Sequence, residues 1–163
     1  MAENSIVLGM ADLLVMKAPV KLITLGLGSC IGLVVFDPLA KVAGMAHIML
    51  PDSRGLNASE KVGKFADTAV PAIIDEMIKH GATRSRIKAK IAGGAQMFAL
   101  PGVNAEFLTV GAKNVRETTI RLARLGIALV ASDTGGNKGR TIEFSTSNWM
   151  LKVKTLGKGV NEI

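Results

Sequence analysis

The sequence predicts an α+β sandwich, mixed sheets covered by two main helices. Three observations carry this. Short apolar runs separated by turn residues fill roughly the first third of the chain. Two longer stretches further on have helical spacing. Strand-like runs then reappear between and after those stretches.

In chain order, Val20–Leu25, Ile31–Phe36 and Val42–Met49 are short, apolar and divided by turn chemistry, so each reads as a strand. Asp37-Pro38 marks the turn between the second and third. Pro51 to Glu60 is a polar loop, and Ser59 near its end is placed to cap a helix that runs to His80 and stops at Gly81. Pro71 predicts a kink or a division within that helix. Arg86 to Gly94 alternates polar and apolar residues and reads as a strand ending in a glycine turn. Ala112 to Leu125 spaces Val115, Ile120 (or Thr119), Leu122 and Leu125 as one helix face, with Gly126 as the stop. Ile127 to Asp133 is a buried-type strand, Asp133 to Gly139 a loop, and Arg140 to Leu156 a closing hairpin. No repeat, low-complexity tract or linker interrupts the 163 residues, so one domain over 1–163 is expected.

Composition narrows the function classes. Hydrophobic residues are 48% and charged residues 20%, a folded composition. Aromatics are 4% and Tyr is absent, so aliphatic side chains and Met must fill the core. The net charge of +7 comes from dispersed Lys and Arg with few aromatics to stack on bases. That argues for a basic surface suited to an acidic protein partner rather than for nucleic-acid binding. A single cysteine makes no intramolecular disulfide and suits a reducing cytoplasm. The first residues lack the basic start of a signal peptide, and the longest uncharged run, Leu22 to Phe36, is too short and glycine-broken to span a bilayer. A cytoplasmic protein with no membrane insertion is expected.

That one cysteine, Cys30, stands directly behind the glycine-rich segment "TLGLGS". If Asp37 to Ala40 form a four-residue hairpin loop, Phe36 pairs with Lys41 and Cys30 falls opposite His47. Their Cβ atoms are then roughly 5 Å apart. A thiol and an imidazole at that range can exchange a proton, leaving the thiolate as nucleophile. Gly26 and Gly28 permit close backbone approach, and N–H groups near Cys30 are free to bind an oxyanion. The plainer readings stand beside this one: a lone Cys in an apolar run is ordinarily an inert small hydrophobe, and a lone His on a strand ordinarily a satisfied structural residue.

Other motifs fail on spacing. "GLGSCI" has Ile31 where a dinucleotide fingerprint needs its third glycine. Ser29 lies outside G-x-S-x-G. Gly135 to Arg140, "GGNKGR", lacks the Walker spacing and reads as a surface turn. His80 is placed as a partner of a helix end. One Cys and two separated His give no zinc-type cluster.

Taken together, "TLGLGSC", "DP", "GMAHIMLPDS", "KFADTAV", "IAGGAQMF", "GAKNV" and "DTGGNKGR" resemble the CheD family, the chemoreceptor glutamine deamidases of bacterial and archaeal chemotaxis. The resemblance runs from about Gly9 to Val153. It implies a three-layer α/β sandwich and a catalytic set of Cys30, His47 and Thr24, with no metal or organic cofactor. Backbone N–H groups of Ser29 and Cys30 are the oxyanion candidates. Implied partners are the helical cytoplasmic region of chemoreceptors, whose glutamines (in some members also glutamyl methyl esters) are the substrates, and the phosphatase CheC. Two alternatives remain at this point: a binding module that regulates a chemotaxis phosphatase, and transglutaminase-like acyl transfer.

Overall fold

The computed structural model describes residues 2–54, 60–97 and 109–163. The described chain forms ten strands and two α-helices. In order they are β1 (Asn4–Leu8), β2 (Leu13–Lys17), β3 (Val20–Leu27), β4 (Ile31–Asp37), β5 (Val42–Ile48), α1 (Ala66–Lys79), β6 (Lys88–Gly93), α2 (Val110–Arg124), β7 (Ala128–Thr134), β8 (Arg140–Ser145), β9 (Met150–Thr155) and β10 (Gly159–Glu162). One sheet has the order β1-β3-β8-β9-β10 and the other β2-β5-β4-β6-β7. Both are mixed, because β1 runs parallel to β3 and β6 parallel to β7 while the other pairs are antiparallel. This is the α+β sandwich expected, in three layers: sheet, sheet, helices.

Two hydrophobic clusters hold the layers together, and strand parity assigns residues to each. β4 and β5 are buried along their whole length, as strands covered on both faces must be. Ile31, Leu33, Val35, Ala46 and Ile48 face the helices and pack on Val70, Ile73, Ile74 and Met77 of α1. Val34, Phe36, Ala43 and Met45 face the other sheet and pack on Leu22, Ile142, Phe144 and Leu151. Cys30 packs against this second, inter-sheet cluster. His47 shares the parity of Ala43 and Met45 and therefore faces the same way.

The structure corrects the hairpin register. Gly32, not Cys30, is the partner of His47, and the loop is Pro38–Lys41 between the pair Asp37–Val42. The cause is local. The Asp37 carboxylate accepts the Ala40 N–H at 3.2 Å, and Lys41 adopts φ +58, so Lys41 belongs to the turn and pairing starts one residue later on each side. The displacement is two residues along the ladder. Faces are therefore kept: Cys30, just ahead of the paired strand, packs on the inter-sheet cluster that His47 also faces, but no longer stands directly opposite it.

Other differences are smaller. Pro71 does not divide its helix, because α1 runs unbroken from Ala66 to Lys79. The break lies earlier, at extended Phe65, which follows a short 3₁₀ turn over Val62–Lys64. Pro71 sits near the start, where its missing N–H costs one helical bond to Asp67. Ser59 lies outside the described residues. Gly81 and Gly126 follow the helix ends as expected. Strands β1, β2 and β10 were not expected from the sequence.

Candidate active site

His47 is held by both sheets. Its backbone N–H donates to Asp12 O and its carbonyl accepts from Ala11 N–H, each at 3.0 Å, so the two residues just before β2 clamp the strand at that residue. Its ring reaches across to Thr24 on β3. The Thr24 hydroxyl donates to Leu8 O at 2.9 Å, which uses its single proton. The 2.7 Å contact between Thr24 Oγ1 and His47 Nδ1 is therefore one in which the ring N–H donates. That fixes the tautomer: Nδ1 carries the proton and Nε2 a lone pair. Nε2 is buried and has no hydrogen-bond partner among the described residues. Thr24 and His47 are 0% and 1% exposed, so an unpaired ring nitrogen here is costly unless it has a task.

Cys30 ends the segment Gly28–Cys30 that joins β3 to β4, and its three carbonyls are all drawn inward. Gly28 O accepts from Ala95 N–H at 2.8 Å and Cys30 O from Gly94 N–H at 2.9 Å. Ser29 O accepts from Asn114 Nδ2 at 2.9 Å. In a planar trans peptide the N–H points opposite to the C=O. Anchoring the Gly28 and Ser29 carbonyls thus turns the N–H groups of Ser29 and Cys30 the other way. Neither has an acceptor among the described residues. Gly93 makes the fit possible: at φ +112, a Cβ there would lie 2.1 Å from Cys30 O.

Burial favours the uncharged form of both reactive groups. It pushes the Cys30 thiol above its ordinary 9.0. It also lowers the His47 imidazole below 6.5, partly opposed by the charge of Asp12. Both shifts favour a thiol beside a neutral imidazole over a preformed ion pair.

Sequence reasoning missed two residues. Asn114 is fully buried on α2 and also donates to Met49 O at 3.0 Å. The block "GAKNV" contains it, but the apolar spacing of the helix points to its neighbour Val115 as the inward residue. Arg140 is buried too, and reaches Gly93 O at 3.3 Å, Gly135 O at 2.9 Å and Asp133 at 3.1 Å. It pins the corner that supports Cys30, so the motif "DTGGNKGR" combines an exposed turn over Gly136–Lys138 with an internal brace at Arg140. A cavity of about 460 Å³ opens beside this corner, lined by Gly94, Lys113, Arg116 and Gly135 among others. Among the described residues no cluster of His, Cys, Asp or Glu could hold a metal ion, and no helix is long and apolar enough to cross a membrane.

The class so defined is a three-layer α+β sandwich with a threonine-tethered imidazole buried between its sheets and a single thiol on the segment that leads into β4. The model of the CheD family, described as CheD chemotactic sensory transduction, matches residues 49–155. A relative from Caldanaerobacter subterraneus, named a probable chemoreceptor glutamine deamidase CheD, is 51% identical over 95% of each chain. One from Thermotoga maritima, named a chemoreceptor glutamine deamidase CheD, is 46% identical over 94% of this chain and 93% of its own. The chain belongs to the CheD family. Among solved structures, the Bacillus licheniformis hypothetical protein YfiH is similar in fold, with a TM-score of 0.50 at 16% identity over 76% of this chain and 50% of that one.

Proposed function

We propose that the chain is a cysteine-dependent protein-glutamine deamidase that acts on chemoreceptors. The observation that carries the reading is the Thr24–His47 hydrogen bond. It leaves Nε2 as a free base on the face where Cys30 lies. The names of the relatives supply the substrate class.

Cys30 Sγ adds to the carboxamide carbon of a glutamine while His47 Nε2 takes the thiol proton. Negative charge gathers on the carboxamide oxygen, where the N–H groups of Ser29 and Cys30 receive it. The C–N bond then breaks, His47 returns its proton to the leaving nitrogen, and ammonia departs from a glutamyl thioester. His47 next takes a proton from water. The hydroxide adds to the thioester carbon, the C–S bond breaks, and glutamate leaves as the thiol is restored. Thr24 keeps the ring in the productive tautomer throughout. A glutamyl methyl ester passes through the same thioester, with methanol as the leaving group. CheC belongs to the proposal as a second partner, seated over Cys30 in competition with the receptor.

The test is incubation with a purified chemoreceptor cytoplasmic fragment, read by mass spectrometry. The expected result is a gain of about one dalton at selected glutamines, absent with Cys30→Ala. Gain of an added amine's mass would mean acyl transfer instead. Tight binding with no mass change would mean a binding module. Cys30→Ala retaining more than about a tenth of the activity would remove Cys30 as nucleophile.

A further inference from the structure

We propose that Asn114 is a positioning residue that aims the oxyanion-binding N–H of Cys30. The inference rests on the deamidase reading above.

The geometry follows from where the β4–β5 ladder stops. Its last pair is Ile31–Ile48. One more step would set Cys30 beside Met49, but their backbone groups face away from each other: Cys30 O accepts from Gly94 N–H at 2.9 Å and Met49 N–H donates to Lys64 O at 2.8 Å. The two chains separate there, and their next carbonyls, Ser29 O and Met49 O, need a donor. Asn114 Nδ2 has two hydrogens and gives one to each, at 2.9 and 3.0 Å. One carboxamide thus bridges the residue before Cys30 and the residue two beyond His47. By holding Ser29 O it also fixes the plane of the Ser29–Cys30 peptide, and with it the direction of the Cys30 N–H.

A general need to hold α2 on the sheet does not explain this choice. Asn114, Thr118 and Leu122 form one buried line on α2. Thr118 sits one turn from Asn114, is equally buried, and its hydroxyl has no partner among the described residues. Packing alone would be served there by an apolar side chain. Asn114 differs in donating both protons to the two chain segments that carry the reactive groups.

The experiment compares Asn114→Ala and Asn114→Leu with Thr118→Val, all checked for folding by circular dichroism and thermal melting. Leu fills the space without a donor, so at least one Asn114 variant should fold. Two rates are read on each: kcat and KM for deamidation of the receptor fragment, and alkylation of Cys30 by iodoacetamide. Alkylation needs a thiolate but no oxyanion site. The expected result is a kcat lower by about 10²-fold at nearly constant KM, with alkylation little changed. Thr118→Val should keep wild-type kcat. A folded Asn114 variant with kcat within about twofold of wild type overturns the proposal. So does a kcat loss shared by Thr118→Val, or one matched by an equal loss of alkylation, since each marks a structural role. If Cys30→Ala is itself active, the deamidase reading has failed, and that outcome is separate from these.

Discussion

A single hydroxyl decides which nitrogen of His47 can act. Thr24 gives its proton to Leu8 O and receives the one on Nδ1, so in the proposed mechanism the base is Nε2. Thr24→Val keeps the shape and removes that acceptor. The buried Nδ1–H loses its partner and the other tautomer gains ground. We expect kcat to fall roughly tenfold or more with the fold retained. The pH profile tests the same environment. The proposed mechanism uses His47 in its neutral form, and burial lowers its pKa below 6.5, so the acid limb of kcat/KM should have its midpoint below pH 6.5. Burial raises the thiol, so alkylation of Cys30 should climb with pH to a midpoint above 9.0. An acid limb at or above pH 6.5, or alkylation already maximal at neutral pH, would mean a preformed ion pair instead. At this scale the sequence offers candidates where the proposed chemistry rests on rare residues. Cys30 is the one thiol and His47 one of two histidines. Asn114 was not legible, because a buried asparagine looks like any polar helix residue until its two acceptors are seen.

Elements place these side chains, and turn chemistry explains what could be read of them. The runs over β3, β4 and β5 were legible because buried strands are short, apolar and bounded by turns. Their register was not, since it depended on Lys41 joining the turn. Strand β10 is exposed throughout, and β1 carries only the short apolar run Ile6–Leu8 behind two exposed polar residues, which is why they escaped notice. Asp37 is the residue that fixes the register. Its buried carboxylate accepts from Ala40 N–H at 3.2 Å, from Thr83 N–H at 2.9 Å and from Arg86 at 3.1 Å, which staples the β4–β5 turn to the segment before β6. Burial alone would raise its pKa, but these donors hold it below 3.8. A carboxyl with a lowered folded pKa stabilises the protein above its unfolded value, and that stability is lost as pH falls through the folded one. Acid melting of the wild type should therefore steepen below pH 3.8. Asp37→Ala should lose about 2–4 kcal/mol at neutral pH and show a flatter acid profile. Equal slopes in the two proteins would mean that Asp37 does not set the acid limit.

At the scale of the whole molecule, the net charge of +7 is the property left to explain. Many of its cations are neutralised locally: Lys21, Lys61, Lys64, Arg86, Arg121 and Arg140 all have acidic partners. Lys113 and Arg116 have no ion pair among the described residues and line the cavity at Gly94, whose N–H holds Cys30 O. Part of the excess charge therefore lies on the side where the thiol segment is anchored. A cleft of one sign raises the capture rate of oppositely charged segments by about 10-fold or more at low salt. Screening removes the effect, because the Debye length shrinks from about 30 Å at 0.01 M to about 8 Å at 0.15 M. We expect kcat/KM for the receptor fragment to fall over that range through KM, with kcat nearly constant. Alkylation by uncharged iodoacetamide is the control and should not respond to salt. If CheC occupies the same face, it should raise the apparent KM for receptor without lowering the maximal rate, and its inhibition should weaken in salt to the same degree as receptor capture. Inhibition that excess receptor does not relieve would assign CheC a separate surface. A kcat/KM indifferent to salt would mean that Lys113 and Arg116 do not meet the substrate, and that capture rests on apolar contact instead.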